Sequence, residues 1–205
     1  MIRNTYREFY PDKPIALVGM PGVGKTTLGK LLADFFGIPF FDSDNMVEKA
    51  AGGLSVSTIY EQFGEEVFRS TELAVIQRIL GEESSHVLAT GEGAFLEDQT
   101  RILLLEKTCT VYMYASLSHL AARLSRKVRP QLGLPLKIDG LKLDDESAKG
   151  EEEKNLALEK SLEKMYEERD KFYRLADVWV PSDQGGYEDT LSKILDALKS
   201  HFHIM

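Results

Sequence analysis

Residues Gly19–Thr26 have the sequence GMPGVGKT, which fits the phosphate-loop pattern G-x-x-x-x-G-K-[ST] at every position. An apolar run at 15–18 precedes the loop and is typical of a buried strand, and a helix is predicted after it to about Phe36. Glycines allow successive backbone N–H groups to turn inward around phosphate oxygens, and the helix directs its positive dipole end toward the anion. The sequence therefore predicts a nucleoside triphosphate site.

The second half of this loop carries the side chains expected to act on the nucleotide. Lys25 supplies a mobile positive charge for the outer phosphates, and Thr26 supplies a hydroxyl suited to Mg²⁺. A glycine-rich turn without a ligand is the alternative, but the full pattern arises by chance in only about 1 in 100 chains of this length. The predicted nucleotide-binding residues of the loop are Gly22, Val23, Gly24, Lys25, Thr26 and Thr27.

Length and charge restrict the class of protein. The 205 residues and the 43% hydrophobic content fit one compact α/β domain. The 25 basic and 33 acidic residues give a net charge of −8, which disfavours nucleic acid or an anionic membrane as the main partner. Cys109 is the only cysteine, so an intrachain disulfide is excluded, and neither a signal peptide nor a membrane-spanning run is recognisable. We expect a cytoplasmic monomer that binds neither nucleic acid nor membrane.

Short apolar runs alternate with longer helical patterns, which is typical of βαβ units on a parallel sheet. Strands are predicted at 15–19, 39–42, 86–90, 109–114 and 178–180, and helices at 25–36, 45–51, 58–80, 98–106, 118–126, 152–175 and 187–202. Glycine, proline and acidic residues interrupt the pattern between Gln131 and about Glu153, so we predict a lid or insertion there. The predicted single domain then has a core at 14–128, a lid or insertion at 129–153, and C-terminal core helices with the last strand at 154–205.

Two aspartates, Asp42 and Asp44, lie at the end of the second predicted strand. They lie at the carboxyl edge of the sheet, where doubly wound folds bind ligands, and strand alternation would send both carboxylates in the same direction. One then serves Mg²⁺ while the other accepts a hydrogen bond from a substrate hydroxyl and acts as a potential base. A pair of turn or N-cap aspartates before the next helix is the alternative.

Further polar motifs lie downstream. Arg69 and Glu72 are three residues apart on a predicted helix, so Glu72 can hold an arginine that pairs with a substrate carboxylate; a solvated surface ion pair is the alternative. The sequence TGEGA at 90–94 is a small-residue turn that permits a ligand to approach the backbone. Arg129 begins the predicted lid, and Arg169 lies on a late helix.

The order of these motifs resembles that of the shikimate kinase family from about residue 15 to residue 180. The matching motifs are the phosphate loop, D-x-D, F-R-x-x-E, T-G-x-G-A, R-P and a late E-R-x-x-x-Y. The resemblance implies a P-loop NTPase fold of the nucleoside monophosphate kinase type, an α/β fold with a five-stranded parallel sheet flanked by helices and a closing lid. It also implies Mg²⁺-dependent transfer of the γ-phosphoryl group of ATP to the 3-hydroxyl of shikimate, in the biosynthesis of chorismate and aromatic amino acids.

The resemblance also implies roles for individual residues. Arg123 would pack on the adenine, and Arg129 would reach the phosphates from the lid. The implied catalytic residues are Lys25, Asp44 and Arg129, and the implied metal site comprises Thr26 and Asp42. The implied substrate site comprises Asp44, Arg69, Gly91, Gly93 and Arg169, of which the two arginines would hold the shikimate carboxylate.

The chain departs from the family pattern at three places. Glu92 replaces the central glycine of the substrate turn, the interval from Arg129 to Arg169 is longer than usual, and the sequence VPSD at 180–183 lacks the basic residue and proline usual in the adenine loop. We expect the Glu92 side chain to point to solvent. A gluconate kinase or another hydroxy-acid kinase is an alternative, because two arginines suit any carboxylate. A protein that binds ligand or partner without turnover is a second alternative.

Overall fold

The computed structural model of the chain describes residues 10–82, 85–127, 151–183 and 185–202. Its strands are β1 (Ile15–Val18), β2 (Phe40–Asp42), β3 (Val87–Ala89), β4 (Cys109–Tyr114) and β5 (Val178–Pro181). Its α-helices are α1 (Lys25–Phe36), α2 (Ser43–Ala50), α3 (Val56–Glu82), α4 (Asp98–Lys107), α5 (Leu117–Lys127), α6 (Glu151–Tyr173) and α7 (Tyr187–His201). A 3₁₀ turn at Ala94–Leu96 follows β3.

The strands form one parallel sheet in the order β2-β3-β1-β4-β5. All four residues of β1 are fully buried, as expected for a central strand that is covered by helices on both faces. Leu17 of β1 and Asp42 of β2 both pair with Ala89 of β3, so these strands end side by side. The predicted five-stranded parallel sheet is confirmed. The loops that follow β1, β2 and β3 therefore lie next to one another at the carboxyl edge of the sheet.

Helix α1 lies close against this part of the sheet. A Cβ atom built on Gly29 would lie 2.6 Å from the Phe40 ring, so only glycine permits the observed approach of α1 to β2. This contact fixes the position of α1 relative to β2. Because the phosphate loop leads into α1, the contact also places the loop near the end of β2. Across the described residues, no helix is long and apolar enough to cross a lipid bilayer.

The observed helix ends lie within two residues of the predicted ones, and two helices differ in ways that bear on the site. Helix α2 begins at Ser43 rather than at residue 45, which places Asp44 in a helix and not in a strand extension. Helix α3 covers the predicted helix but bends at Gly64, whose φ of 83° and ψ of 171° are not helical. Residues 129–150 of the predicted lid lie outside the described residues. The division of the chain into a core, a lid and a C-terminal part stays a prediction.

Candidate active site

The phosphate loop after β1 has the shape that its glycines predict. Gly19, Gly22 and Gly24 have φ values of 138°, 78° and 105°, which side chains rarely permit. The Lys25 ammonium is buried and donates hydrogen bonds to the carbonyl oxygens of Gly19 (2.8 Å) and Met20 (3.2 Å). The loop therefore holds a positive charge against its own backbone, beside the N-terminus of α1.

Thr26 and Asp42 meet beside this loop. The Thr26 hydroxyl donates to Asp42 Oδ2 at 2.8 Å, and Asp42 Oδ1 accepts a hydrogen bond from the Asn45 amide at 3.4 Å. Asp42 is therefore the N-cap of α2, as the alternative interpretation predicted, and it also contacts the phosphate-loop threonine. Two oxygen donors at a phosphate site suit Mg²⁺, which usually takes one or two protein ligands together with phosphate and water. The part of the chain that the structure describes offers no cluster of three or more His, Cys, Asp or Glu side chains as a separate metal cage.

Asp44 reaches the site by a different route from the one predicted. The argument from strand alternation is wrong, because β2 ends at Asp42 and Asp44 lies in the first turn of α2. The buried Ser43 hydroxyl accepts a hydrogen bond from the Gly91 amide at 2.8 Å, which ties this turn to the loop after β3. A Cβ atom on Gly91 would lie 2.6 Å from Asp44 Oδ1 and 2.8 Å from Glu72 Oε1. Gly91 is thus required for the two carboxylates to approach the turn.

Arg69 and Glu72 form the predicted i,i+3 pair. Arg69 Nη1 lies 3.0 Å from Glu72 Oε2, and the two side chains are only 12% and 1% exposed. The alternative of a solvated surface pair is therefore wrong. A Cβ atom on Gly93 would overlap the Arg69 guanidinium, so this arginine lies directly against the backbone of the turn. Arg69 also lies 3.5 Å from Glu65, a further carboxylate on the same helix.

Helix α6 closes the site from the other side. This helix packs against the 3₁₀ turn at Ala94–Leu96. Its residue Arg169 is buried. Tyr173, one helical turn later, donates its hydroxyl to the Glu92 carbonyl oxygen at 2.5 Å. Because residues four apart share a helix face, Arg169 lies on the face of α6 that meets the turn. Its contact with a substrate carboxylate stays a prediction.

Glu92 lies close enough to Asp44 for its charge to act on that carboxyl group. It is half-buried, and among neighbouring charges it makes the largest contribution to raising the pKa of Asp44. The direction of the Glu92 side chain stays a prediction, because the contacts at Gly91 and Gly93 place the backbone of the turn, and not this side chain, against Asp44 and Arg69. Burial first, and then Glu92, Glu72 and Asp42, raise the pKa of Asp44 to about 8, while Lys25 lowers it.

This pKa predicts how the stability of the metal-free protein depends on pH. The ordinary pKa of 3.8 applies to Asp44 in the unfolded chain, and the folded value is about 8. Between these values the unfolded chain has released a proton that the folded chain retains, so this group lowers the free energy of unfolding as the pH rises. The asparagine side chain of the Asp44→Asn variant cannot ionise. We therefore expect the free energy of unfolding of this variant, relative to that of the parent protein, to increase as the pH rises. Denaturant unfolding in EDTA at about pH 5 and about pH 8 measures this; a stability difference that is equal at both pH values would contradict it.

Arg123 joins the phosphate loop to the segment after β5. Its Nη1 donates to the Val23 carbonyl oxygen at 3.0 Å, and its Nη2 donates to the Ser182 carbonyl oxygen at 2.9 Å. The buried Ser182 hydroxyl donates to the same Val23 oxygen at 3.1 Å. Arg123 therefore supports the backbone of the loop, and its predicted packing on adenine stays a prediction.

Sequence reasoning missed three residues that hold the site together, namely Ser43, Tyr173 and Ser182. Tyr173 carried a signal, since it ends the motif E-R-x-x-x-Y and stands four residues after Arg169. Ser43 lies between the two aspartates without a pattern of its own. Arg129, the predicted lid arginine, lies outside the described residues.

The fold and the phosphate loop define a P-loop protein of the nucleoside monophosphate kinase type. The family model for shikimate kinase matches residues 21–199, and the chain belongs to the shikimate kinase family. The family prediction made from the sequence is thereby confirmed, and the fold prediction is confirmed with it.

Individual relatives agree with this assignment. The chain is 50% identical to the shikimate kinase of Caulobacter vibrioides over 115 residues, a match that spans 56% of each chain. It is 36% identical to the shikimate kinase of Zymomonas mobilis over 189 residues, which cover 92% of this chain and 94% of the relative. Among solved structures, the shikimate kinase from Acinetobacter baumannii in complex with shikimate superposes with a TM-score of 0.73 at 29% identity, over 97% of both chains.

Proposed function

We propose that this chain transfers the γ-phosphoryl group of Mg·ATP to the 3-hydroxyl of shikimate. One observation supports this most strongly: the turn at 91–93 lies against Asp44 and Arg69, beside the phosphate loop that carries Lys25. A potential base and a carboxylate-binding arginine thus stand next to a preformed phosphate site. Family membership favours this function over the gluconate kinase alternative.

The chemistry assigns a separate task to each group. The acceptor hydroxyl oxygen forms a bond to the γ-phosphorus, the bond from that phosphorus to the β–γ bridging oxygen breaks, and ADP leaves. Asp44 accepts the hydroxyl proton, and its raised pKa of about 8 makes it a stronger base than an ordinary carboxylate once ionised. Lys25 leaves its carbonyl partners for the phosphate oxygens and neutralises negative charge there.

Thr26 and Asp42 would hold the magnesium ion of the nucleotide. When bound, Mg²⁺ supplies positive charge to the outer phosphates. The Thr26 hydroxyl already faces Asp42 and is exposed, so the pair is accessible to a nucleotide. Asp42 is also fixed by its cap on α2, which orients the carboxylate before any ligand arrives.

Arg69 and Arg169 would bind the acceptor carboxylate. Arg69 Nη1 donates a hydrogen bond to Glu72 Oε2 at 3.0 Å, and the Arg69 guanidinium lies against Gly93. The planar guanidinium presents its N–H donors as a fixed fork that can pair with both oxygens of a carboxylate, which a lysine ammonium cannot do. The acidic neighbours Glu65 and Glu72 also keep the uncomplexed site from carrying a large excess of positive charge.

The lysine variants of these arginines test the carboxylate site. Arg69→Lys and Arg169→Lys retain the charge and lose the planar fork, so we expect the acceptor KM to rise about 10-fold or more while the ATP KM changes little. Steady-state kinetics with each substrate varied in turn measures both constants. Arg78→Lys is the matched control, because Arg78 is an exposed arginine on α3, the helix that carries Arg69. Equal rises in both KM values would assign the arginines to nucleotide binding or to stability.

An acceptor panel tests the function itself. ADP release is measured with shikimate, quinate, gluconate and no acceptor, at fixed Mg·ATP. We expect shikimate to give the highest kcat/KM. A preference for gluconate would favour the alternative kinase, and no acceptor-dependent turnover would favour a protein that binds without catalysis.

A further inference from the structure

The turn at 91–93 is anchored from α6 by one hydroxyl group. Tyr173 is fully buried, and its hydroxyl donates to the Glu92 carbonyl oxygen at 2.5 Å. Its ring stacks on that of Tyr112 in the central part of the sheet, with centroids 5.3 Å apart and an interplanar angle of 25°. Because the Tyr173 ring is held by this packing, its hydroxyl is a fixed point to which the turn is attached.

This bond determines the orientation of a peptide group in the turn. The peptide between Glu92 and Gly93 is planar and trans, so its carbonyl and its N–H point in opposite directions. A carbonyl held by Tyr173 therefore directs the Gly93 N–H to the side away from α6. Rotation of this peptide would also displace Gly93 from the Arg69 guanidinium.

The same bond connects two halves of the acceptor site. Arg169 lies one helical turn before Tyr173 on α6, whereas Asp44 and Arg69 contact the turn from α2 and α3. The Ser43 hydroxyl fixes the other end of the turn through the Gly91 amide. The turn is thus held at both ends, by Ser43 on one side and by Tyr173 on the other.

We infer, on the basis of the function proposed above, that Tyr173 is a positioning residue for the acceptor: its hydroxyl fixes the 91–93 turn against Asp44 and Arg69 and sets the distance of the turn from Arg169. Its effect falls on the acceptor and not on the nucleotide, because its hydrogen bond is to the turn and not to the phosphate loop.

Tyr173→Phe removes the hydroxyl and keeps the stacked ring. We expect the acceptor KM to rise about five- to tenfold, the fold-change that corresponds to one lost hydrogen bond, while the ATP KM stays within about twofold. Tyr112→Phe is the matched control, since the Tyr112 hydroxyl donates to Asp170 at 2.7 Å from the same ring stack and does not contact the turn. An acceptor KM that changes equally in the two variants, or not at all in Tyr173→Phe, would overturn the assignment.

Hydrogen exchange provides a readout that does not require turnover. Backbone amides in the segment 91–96 should exchange faster in Tyr173→Phe than in the parent protein and in Tyr112→Phe. The three proteins are compared under conditions in which denaturant unfolding gives them the same free energy of unfolding. If the parent protein does not phosphorylate shikimate, the proposed function fails, and the exchange rates still decide the role of Tyr173. Unchanged exchange in this segment would show that the hydroxyl does not hold the turn.

Discussion

Lys25→Ala is expected to abolish phosphoryl transfer. The lysine is buried in the phosphate loop with its ammonium on the carbonyl oxygens of Gly19 and Met20, and it is the positive charge that the loop offers to the outer phosphates. Electrostatic stabilisation by one such group in a site that excludes water accounts for about a 10²- to 10³-fold effect on kcat, and weaker nucleotide binding adds to the loss. Coupled measurement of ADP release and calorimetry with Mg·ATP give the two contributions separately.

Lys30→Ala is the matched control for this variant. Lys30 is an exposed lysine on the same helix, α1, and its ammonium lies 5.9 Å from the centre of the Phe40 ring. Its removal deletes the same charge at the surface, so turnover and Mg·ATP affinity should stay close to those of the parent protein. Normal affinity and turnover in Lys25→Ala would remove the basis for the nucleotide site.

Asp44→Asn is expected to lower kcat about 10²- to 10⁴-fold, the range that general base catalysis contributes. The amide keeps the size of the side chain against Gly91 but has no capacity to accept the hydroxyl proton. Mg·ATP affinity should change little, because Thr26 and Asp42 form the predicted metal site. Single-turnover kinetics at saturating Mg·ATP and acceptor isolates the chemical step.

Two further variants separate the roles of the aspartates. Asp98→Asn removes an exposed carboxylate on α4 that pairs with Arg101, and it should leave kcat unchanged. Asp42→Asn should weaken the response to Mg²⁺ concentration more than it changes the acceptor KM. Near-normal kcat in Asp44→Asn would show that another group accepts the proton.

Much of the fold was predictable because its signals are local. Strand β4 and helix α1 were predicted with both ends correct, since an apolar run and a glycine-bounded helix pattern each lie within one short segment. The start of α2 was not predicted correctly. The four residues from Asp42 to Asn45 are all polar, and the Asp42 side chain caps a helix that begins at the next residue.

The site was predictable where its parts are contiguous in sequence. The phosphate loop is one pattern, and the pairing of Arg69 with Glu72 follows from helical spacing. The bonds from Gly91 to Ser43 and from Tyr173 to Glu92 join residues that are 48 and 81 positions apart. Such pairs depend on the order of the strands and on the packing of α6, which no local pattern encodes.

Glu92 illustrates the same limit. A charged residue between two glycines suggests an exposed turn when it is considered alone. In the folded chain both glycines allow the side chains of Asp44, Glu72 and Arg69 to lie against the turn, and the half-buried Glu92 raises the pKa of Asp44. The direction of the turn is determined by residues on three other helices, α2, α3 and α6.

Phosphorus NMR of the reaction mixture tests shikimate phosphorylation most directly. With the parent protein, Mg·ATP and shikimate, we expect a new phosphate monoester signal, coupled to the proton at position 3 of the shikimate ring, to grow as the γ-phosphate signal of ATP declines. The same mixture with Lys25→Ala should show neither change. Loss of the γ-phosphate signal to inorganic phosphate alone, or no consumption of ATP by the parent protein, would contradict the proposed function.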